Sequence, residues 1–150
     1  MDTARNENSS YGVAMSLRVW HPSVLGAEMT NAIGLSPSLS NDVGAGRRTP
    51  TGQILDGVYT QTYWLYKFSF PKKTEIEDCI AKALAVLSHK SDFFSRICST
   101  GGRCELFIGI FLEKNAGIML DRNLIRQVAD LGLALSFDVF LPDNLGKSAV

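Results

Sequence analysis

The residues best suited to chemistry lie in Gly44-Ala45-Gly46-Arg47-Arg48. Glycines let backbone amides approach an anion, and paired arginines fork onto phosphate or carboxylate. The pattern still departs from the phosphate-binding loops. A dinucleotide loop needs a strand, then G-x-G-x-x-G, then a helix; here the third glycine is missing. A P-loop needs Gly-Lys-Ser/Thr, and a Thr-Pro turn follows instead. The favoured reading is a turn whose Arg47 and Arg48 sit in solvent or pair with an acid such as Asp42.

Catalytic patterns fare no better. Gly34-Leu35-Ser36-Pro37-Ser38 fails G-x-S-x-G at its last position and follows a helical pattern rather than a strand. There is no H-E-x-x-H, and no acidic cluster suits Mg²⁺. Glu105 and Glu113 flank an apolar run, but lie roughly 26 Å apart along an extended chain, too far for a paired acid and base. Cys79, Cys98 and Cys104 are an odd set without a C-x-x-C. They read as reduced thiols, not as a disulfide framework or a zinc site. His89 fits a solvated helix end. His21 lies at a strand-to-helix junction beside Trp20. It is the more interesting histidine if it comes near Arg47 and Arg48.

A second constellation is a sheet face. The outward side of the first predicted strand offers Arg18 and Trp20, and that of the last offers Ser136 and Asp138. If those strands are neighbours, Arg18 and Asp138 form a cross-strand ion pair, contributing roughly 0.2–1 kcal/mol when exposed. Sheet stabilisation is the simpler account of this pair. The functional account is a half-polar face that binds a ligand or a partner, with apolar contact from Trp20, Tyr63 and Trp64. Arginine, like tryptophan and tyrosine, is enriched at binding hot spots. The sequence leaves open which of Tyr63 and Trp64 points outward. Base stacking by Tyr59, Tyr63, Trp64, Tyr66 and Phe68 is disfavoured, because the RNA-recognition signature is absent.

Composition narrows the partner classes. The chain has 150 residues, 45% hydrophobic and 20% charged, with fifteen Lys+Arg against fifteen Asp+Glu. It is too apolar and too balanced for a disordered protein. A zero net charge offers no bulk attraction to nucleic acid or to an anionic membrane. The longest apolar run, Leu106 to Leu112, is far short of the about 20 residues needed to cross a bilayer. MDTARNENSS lacks the basic start and apolar core of a signal peptide. A cytoplasmic protein is expected, with one domain over 11–142 and flexible tails at 1–10 and 143–150.

The elements follow from periodicity. Val13, Met15, Leu17 and Val19 alternate with Ala14, Ser16, Arg18 and Trp20, as in a half-buried strand. Pro22 or Ser23 opens a helix with Leu25, Met29, Ala32 and Ile33 as its stripe and Gly34 as its cap. Residues 34–52 are irregular, with a β-turn at Thr49-Pro50-Thr51-Gly52. Asp56-Gly57 predicts a two-residue hairpin turn, and Val58 to Phe68 reads as the longest strand. Thr74 and Glu77 form a capping box for a helix through Ile76, Ile80, Ala83, Leu84 and Leu87. A further helix covers Ser91 to Cys98, with Phe93, Phe94 and Ile97 inward. Cys104 to Leu112 is apolar on both faces, so central in its sheet. A short returning strand, Ile118 to Leu120, precedes a helix capped by Asp121 and Gly132, with Leu124, Ile125, Val128 and Leu131 inward. Leu133 to Phe140 is the last strand. This order predicts an α+β fold: a single-domain two-layer sandwich, ferredoxin-like in general character. Its helices pack on one face of a mixed, mainly antiparallel sheet.

In their order, LRVWHPS (17–23), IGLSP (33–37), GRRTPTG (46–52), YTQTYWLY (59–66), GGRCELFIGIF (101–111) and LGLALSFDVF (131–140) carry a resemblance. They resemble the domain of unknown function 4279 family, small bacterial proteins, over about residues 11–141. The resemblance implies a bacterial origin, a single compact domain and no known cofactor. It implies no activity. The chain departs from many members at Val24-Leu25-Gly26, where they carry a charge at the start of the first helix.

Two functional expectations result. The first is a non-enzymatic protein-binding module, an inhibitor, immunity-like protein or accessory factor, using Arg18, Trp20 and their neighbours. A homodimer through the open sheet face is its variant. The second is a protein for a small molecule or small anionic ligand, and even an enzyme, with a pocket under the 40–58 loop. There Arg47 and Arg48 would hold the anion and His21 or Tyr59 would assist. Loops of that length often carry function.

Overall fold

The computed structural model describes residues 10–142. Apart from residue 10, the two expected tails lie outside the described residues. Strand β1 (Tyr11–His21) alternates as its sequence requires: Met15, Leu17, Val19 and His21 are buried, while Ser16, Arg18 and Trp20 are half-exposed. Helix α1 (Gly26–Ile33) follows, then the short strands β2 (Leu39–Asn41), β3 (Gly46–Arg48) and β4 (Ile54–Val58). Next come β5 (Thr62–Phe68), helices α2 (Ile76–Val86) and α3 (Ser91–Ser99), β6 (Arg103–Leu112), α4 (Arg122–Leu131) and β7 (Ala134–Phe140).

The main sheet has five strands in the order β2-β5-β1-β6-β7. The first three pairings are antiparallel, and β6 with β7 is parallel. Met15, Leu17 and Val19 of β1 and Leu106, Ile108 and Ile110 of β6 join the buried residues of all four helices in one core. All helices therefore cover one face, and the fold is the expected single-domain α+β sandwich. Among the described residues, no helix covers the other face.

Several local expectations are corrected. Asp56-Gly57 is not a hairpin turn. The small hairpin is β3 with β4, closed by Thr49-Pro50-Thr51-Gly52, where the Gly52 amide donates to the Thr49 carbonyl at 2.9 Å. Gly57 does take a positive φ of 85°, but within a bulge: the register shifts between Gly46↔Val58 and Arg48↔Ile54. A bulge asks for the same backbone freedom as a turn. The run Val58 to Phe68 is accordingly broken between β4 and β5, and β1, with 11 residues, is the longest strand. Ile118 to Leu120 forms no strand. A parallel neighbour needs a crossover, and 113–120 leads from β6 into α4 for that purpose.

Helix ends are also settled by tertiary contacts. The α1 helix starts at Gly26 rather than Pro22 or Ser23, and Leu25 is exposed. Its first amide, Gly26, donates to Asp42 Oδ1 at 2.8 Å, so a distant carboxylate does the work of a local cap. The Thr74–Glu77 capping box does not form. Thr74 Oγ1 donates to the Pro71 carbonyl, and the Tyr11 hydroxyl accepts from the Ile76 amide while donating to Glu75 Oε2 at 2.6 Å. Gly34 and Gly132 cap α1 and α4 with φ of 79° and 89°, and Asp121 Oδ1 accepts from the Leu124 amide, as expected. Ile125 of the α4 stripe is half-exposed rather than inward.

Candidate functional site

The bare face of the sheet brings side chains into rows, because residues opposite one another in a ladder share a face. One row runs Asn41, Tyr63, Trp20 and Arg103; the next runs Leu39, Leu65, Arg18, Glu105 and Ala134. Trp20 stacks on Tyr63 with ring centroids 5.2 Å apart. The Arg103 guanidinium lies over the Trp20 ring, 3.9 Å from its centroid. Arg18 lies over Phe107 at 3.5 Å and approaches Glu105 at 3.8 Å. Its Nε is buried with no hydrogen-bond partner among the described residues.

Below these rows the side chains shrink to Gly12, Ala14 and Ser16 on β1 and to Gly109 on β6. At the far end Phe111 stacks on Phe140 at 4.7 Å. The face is therefore a shallow trough with an aromatic-arginine cluster at one end and a phenylalanine pair at the other. Burial raises the Tyr63 phenol above its ordinary range, Glu105 adds to the rise, and Arg18 opposes it. Tyr63 stays a neutral hydrogen-bonding group at neutral pH.

The sequence-derived residues divide sharply. Arg18, Trp20 and Tyr63 meet on the bare face. Asp138 shares that face but does not pair with Arg18. Strand β6 lies between β1 and β7, so Glu105 is the acid opposite Arg18, and Asp138 faces Gly109. Trp64 points the other way, fully buried, with its Nε1 donating to Thr30 Oγ1 at 3.0 Å.

His21 is buried on the core side, and both ring nitrogens are engaged. Its Nδ1 accepts from the Ser23 and Val24 amides at 3.0 and 2.9 Å. Its Nε2 lies 2.8 Å from Thr100 Oγ1, whose own proton goes to the Arg96 carbonyl. That chain of donors fixes the tautomer with the proton on Nε2. It also ties β1 to the end of α3.

Arg47 and Arg48 stand exposed on β3, apart from the Trp20 cluster. Arg47 Nη1 donates to the Asp56 carbonyl at 3.3 Å, and the Arg48 amide and carbonyl both engage the Tyr59 hydroxyl. Asp42, their expected partner, is bonded to α1. One concavity of about 440 Å³ is lined by Leu112, Glu113, Lys114, Asn115, Leu141 and Pro142. Neither it nor three smaller ones touches residues 40–58.

Sequence reasoning missed Arg103, Glu105 and Phe107. The signal was there: they recur every second residue on the outward side of β6. The unbroken apolar inner side, Cys104 to Leu112, obscured that alternation. Among the described residues, no group of three or more His, Cys, Asp and Glu side chains is placed to hold a metal ion.

The fold and the face define a class, a two-layer α+β domain with helices on one side and a bare, aromatic-rich sheet on the other. The chain belongs to the family described as Domain of unknown function (DUF4279), whose model matches residues 9–141. No curated protein and no solved structure matches it.

Proposed function

We propose that this chain is a non-enzymatic protein-binding module, and that its bare sheet face is the recognition surface. The observation that supports this reading most is the Trp20–Tyr63–Arg103 stack, with Arg18 and Phe107 beside it. Tryptophan, tyrosine and arginine dominate the energetics of protein interfaces. Here they are held by stacking before any partner arrives, so little side-chain freedom is lost on binding. Exposed Leu39, Phe111 and Phe140 extend the apolar contact around them. The complementary partner presents an apolar ridge to the trough and a carboxylate to Arg103. Arg47 and Arg48 are less suited to hold a small anion, because both stand on a fully exposed strand without an enclosure.

The test is photo-crosslinking in cells of the source organism, from a reactive residue at Ser16 on the bare face and at Ala81 on α2. Protein adducts are expected from position 16, and they should vanish when Trp20→Ala and Arg103→Glu are added. Equal adducts from both positions, or adducts indifferent to those changes, would overturn the reading.

A further inference from the structure

A different surface, the outer edge of β7, points to a second copy of this chain. β7 is the last strand of the sheet, and no described strand lies beyond it. Exposed sheet edges are normally blunted by lysine, proline, a bulge or shortness. The opposite edge, β2, has only three residues. β7 has seven, ALSFDVF, with no lysine or proline, and its pairing with β6 is continuous. Phe137 and Val139 on the helix side and Phe140 on the bare side remain 43–51% exposed. Pro142 ends the strand's pairing capacity just beyond.

We infer that two copies join β7 to β7, antiparallel about a two-fold axis at Phe137, into one ten-stranded sheet. The sequence of β7 is self-complementary in that register. Phe137 meets its own copy, and Leu135 meets Val139, all on the helix side. On the bare side Ser136 meets Asp138, and small Ala134 meets large Phe140. Every residue of the strand has a partner, and the single charge faces a hydroxyl. Moving the axis to Asp138 would set two carboxylates against each other. Moving it to Ser136 would leave Val139 and Phe140 without partners, and a one-residue slip would mix the two faces. The axis is perpendicular to the sheet, so both bare faces point the same way. The dimer then presents two Trp20 clusters on one side, and the edge and the face can be occupied together.

Sedimentation of the full chain tests this. The wild type is expected at about twice the monomer mass of 16.4 kDa at tens of micromolar. Ser136 is partly exposed on the bare side, so charged residues fit there without disturbing the core. Ser136→Asp sets like charges opposite Asp138 twice per dimer and should weaken association about tenfold. Ser136→Lys should strengthen it. A wild type that stays monomeric would overturn the inference. So would a dimer that ignores both Ser136 changes but dissociates with Trp20→Ala, since that dimer would be built through the face.

Discussion

His21 shows how a residue with catalytic potential can be wholly committed to structure. Its Nδ1 serves two amides that open the turn after β1, and its Nε2–H serves Thr100. His21→Ala would empty a buried site and take a partner from the Ser23 and Val24 amides and the Thr100 hydroxyl, whose bonds to the ring are partly buried, at roughly 1–3 kcal/mol for a group left unsatisfied. A loss of at least 2 kcal/mol in denaturant unfolding is therefore expected. His21→Asn should lose less, because its Oδ1 can take the place of Nδ1. The cysteines differ in the same concrete way. Cys98 is exposed, whereas Cys79 and Cys104 are buried. Iodoacetamide should add once to the native protein, at Cys98, and three times after unfolding, as read by intact mass. Burial pushes the Cys79 thiol up to about 11 from an ordinary 9.0 and raises Cys104, Tyr11 and Tyr63 as well. All four groups hold their protons more tightly folded than unfolded. Stability should be level up to about pH 8 and fall from pH 9 towards 11, as the unfolded chain ionises first. A stability that rose over that interval would contradict the burial.

The elements show where local sequence signals compete with tertiary ones. Thr74 and Glu77 have the spacing of a capping box, yet Tyr11, more than sixty positions away in sequence, caps α2 from β1. Tyr11→Phe should cost about 1–2 kcal/mol, since it strands the Ile76 amide and the Glu75 carboxylate. Thr74→Ala, at a half-exposed site, should cost under about 0.5 kcal/mol. Equal losses in thermal unfolding would mean that the local box does form. The same competition displaced the hairpin. Asp56-Gly57 has the chemistry of a turn, but the Thr-Pro-Thr-Gly turn seven residues earlier closed the ladder, and Gly57 became its bulge. The turn after α3 is set by a close approach. A Cβ on Gly102 would strike the Trp20 carbonyl and the His21 ring. Gly102→Ala should therefore be among the most destabilising single changes in the chain.

At the scale of the molecule, the four helices and the strands β1 and β7 were legible because their periods are strong. Met29 and Ile33, then Ile76, Ile80, Ala83, Leu84 and Leu87, and Phe93 with Phe94 and Ile97 all face the core as their spacing requires. Strand order was not legible, because periodicity says which face a residue takes and nothing about which strand lies beside it. That gap misplaced the acid partner of Arg18, assigning Asp138 where Glu105 stands. The choice between Tyr63 and Trp64 stayed open for another reason: Tyr63 to Tyr66 is aromatic or apolar at every position, so no alternation marks the buried side. The candidate face was half legible: Arg18, Trp20 and Tyr63 were found, and Arg103 and Phe107 were not.

The central claim is that partner affinity resides on the bare sheet face. The most direct test is calorimetry with the protein captured by crosslinking, comparing Trp20→Ala with Arg48→Ala. Truncation of a hot-spot tryptophan costs 2 kcal/mol or more, about thirtyfold in Kd. The account predicts that loss for Trp20→Ala with the fold intact, and no change for Arg48→Ala. An affinity lost with Arg48 and kept without the Trp20 ring would contradict it, and would move the binding site to the β3–β4 hairpin.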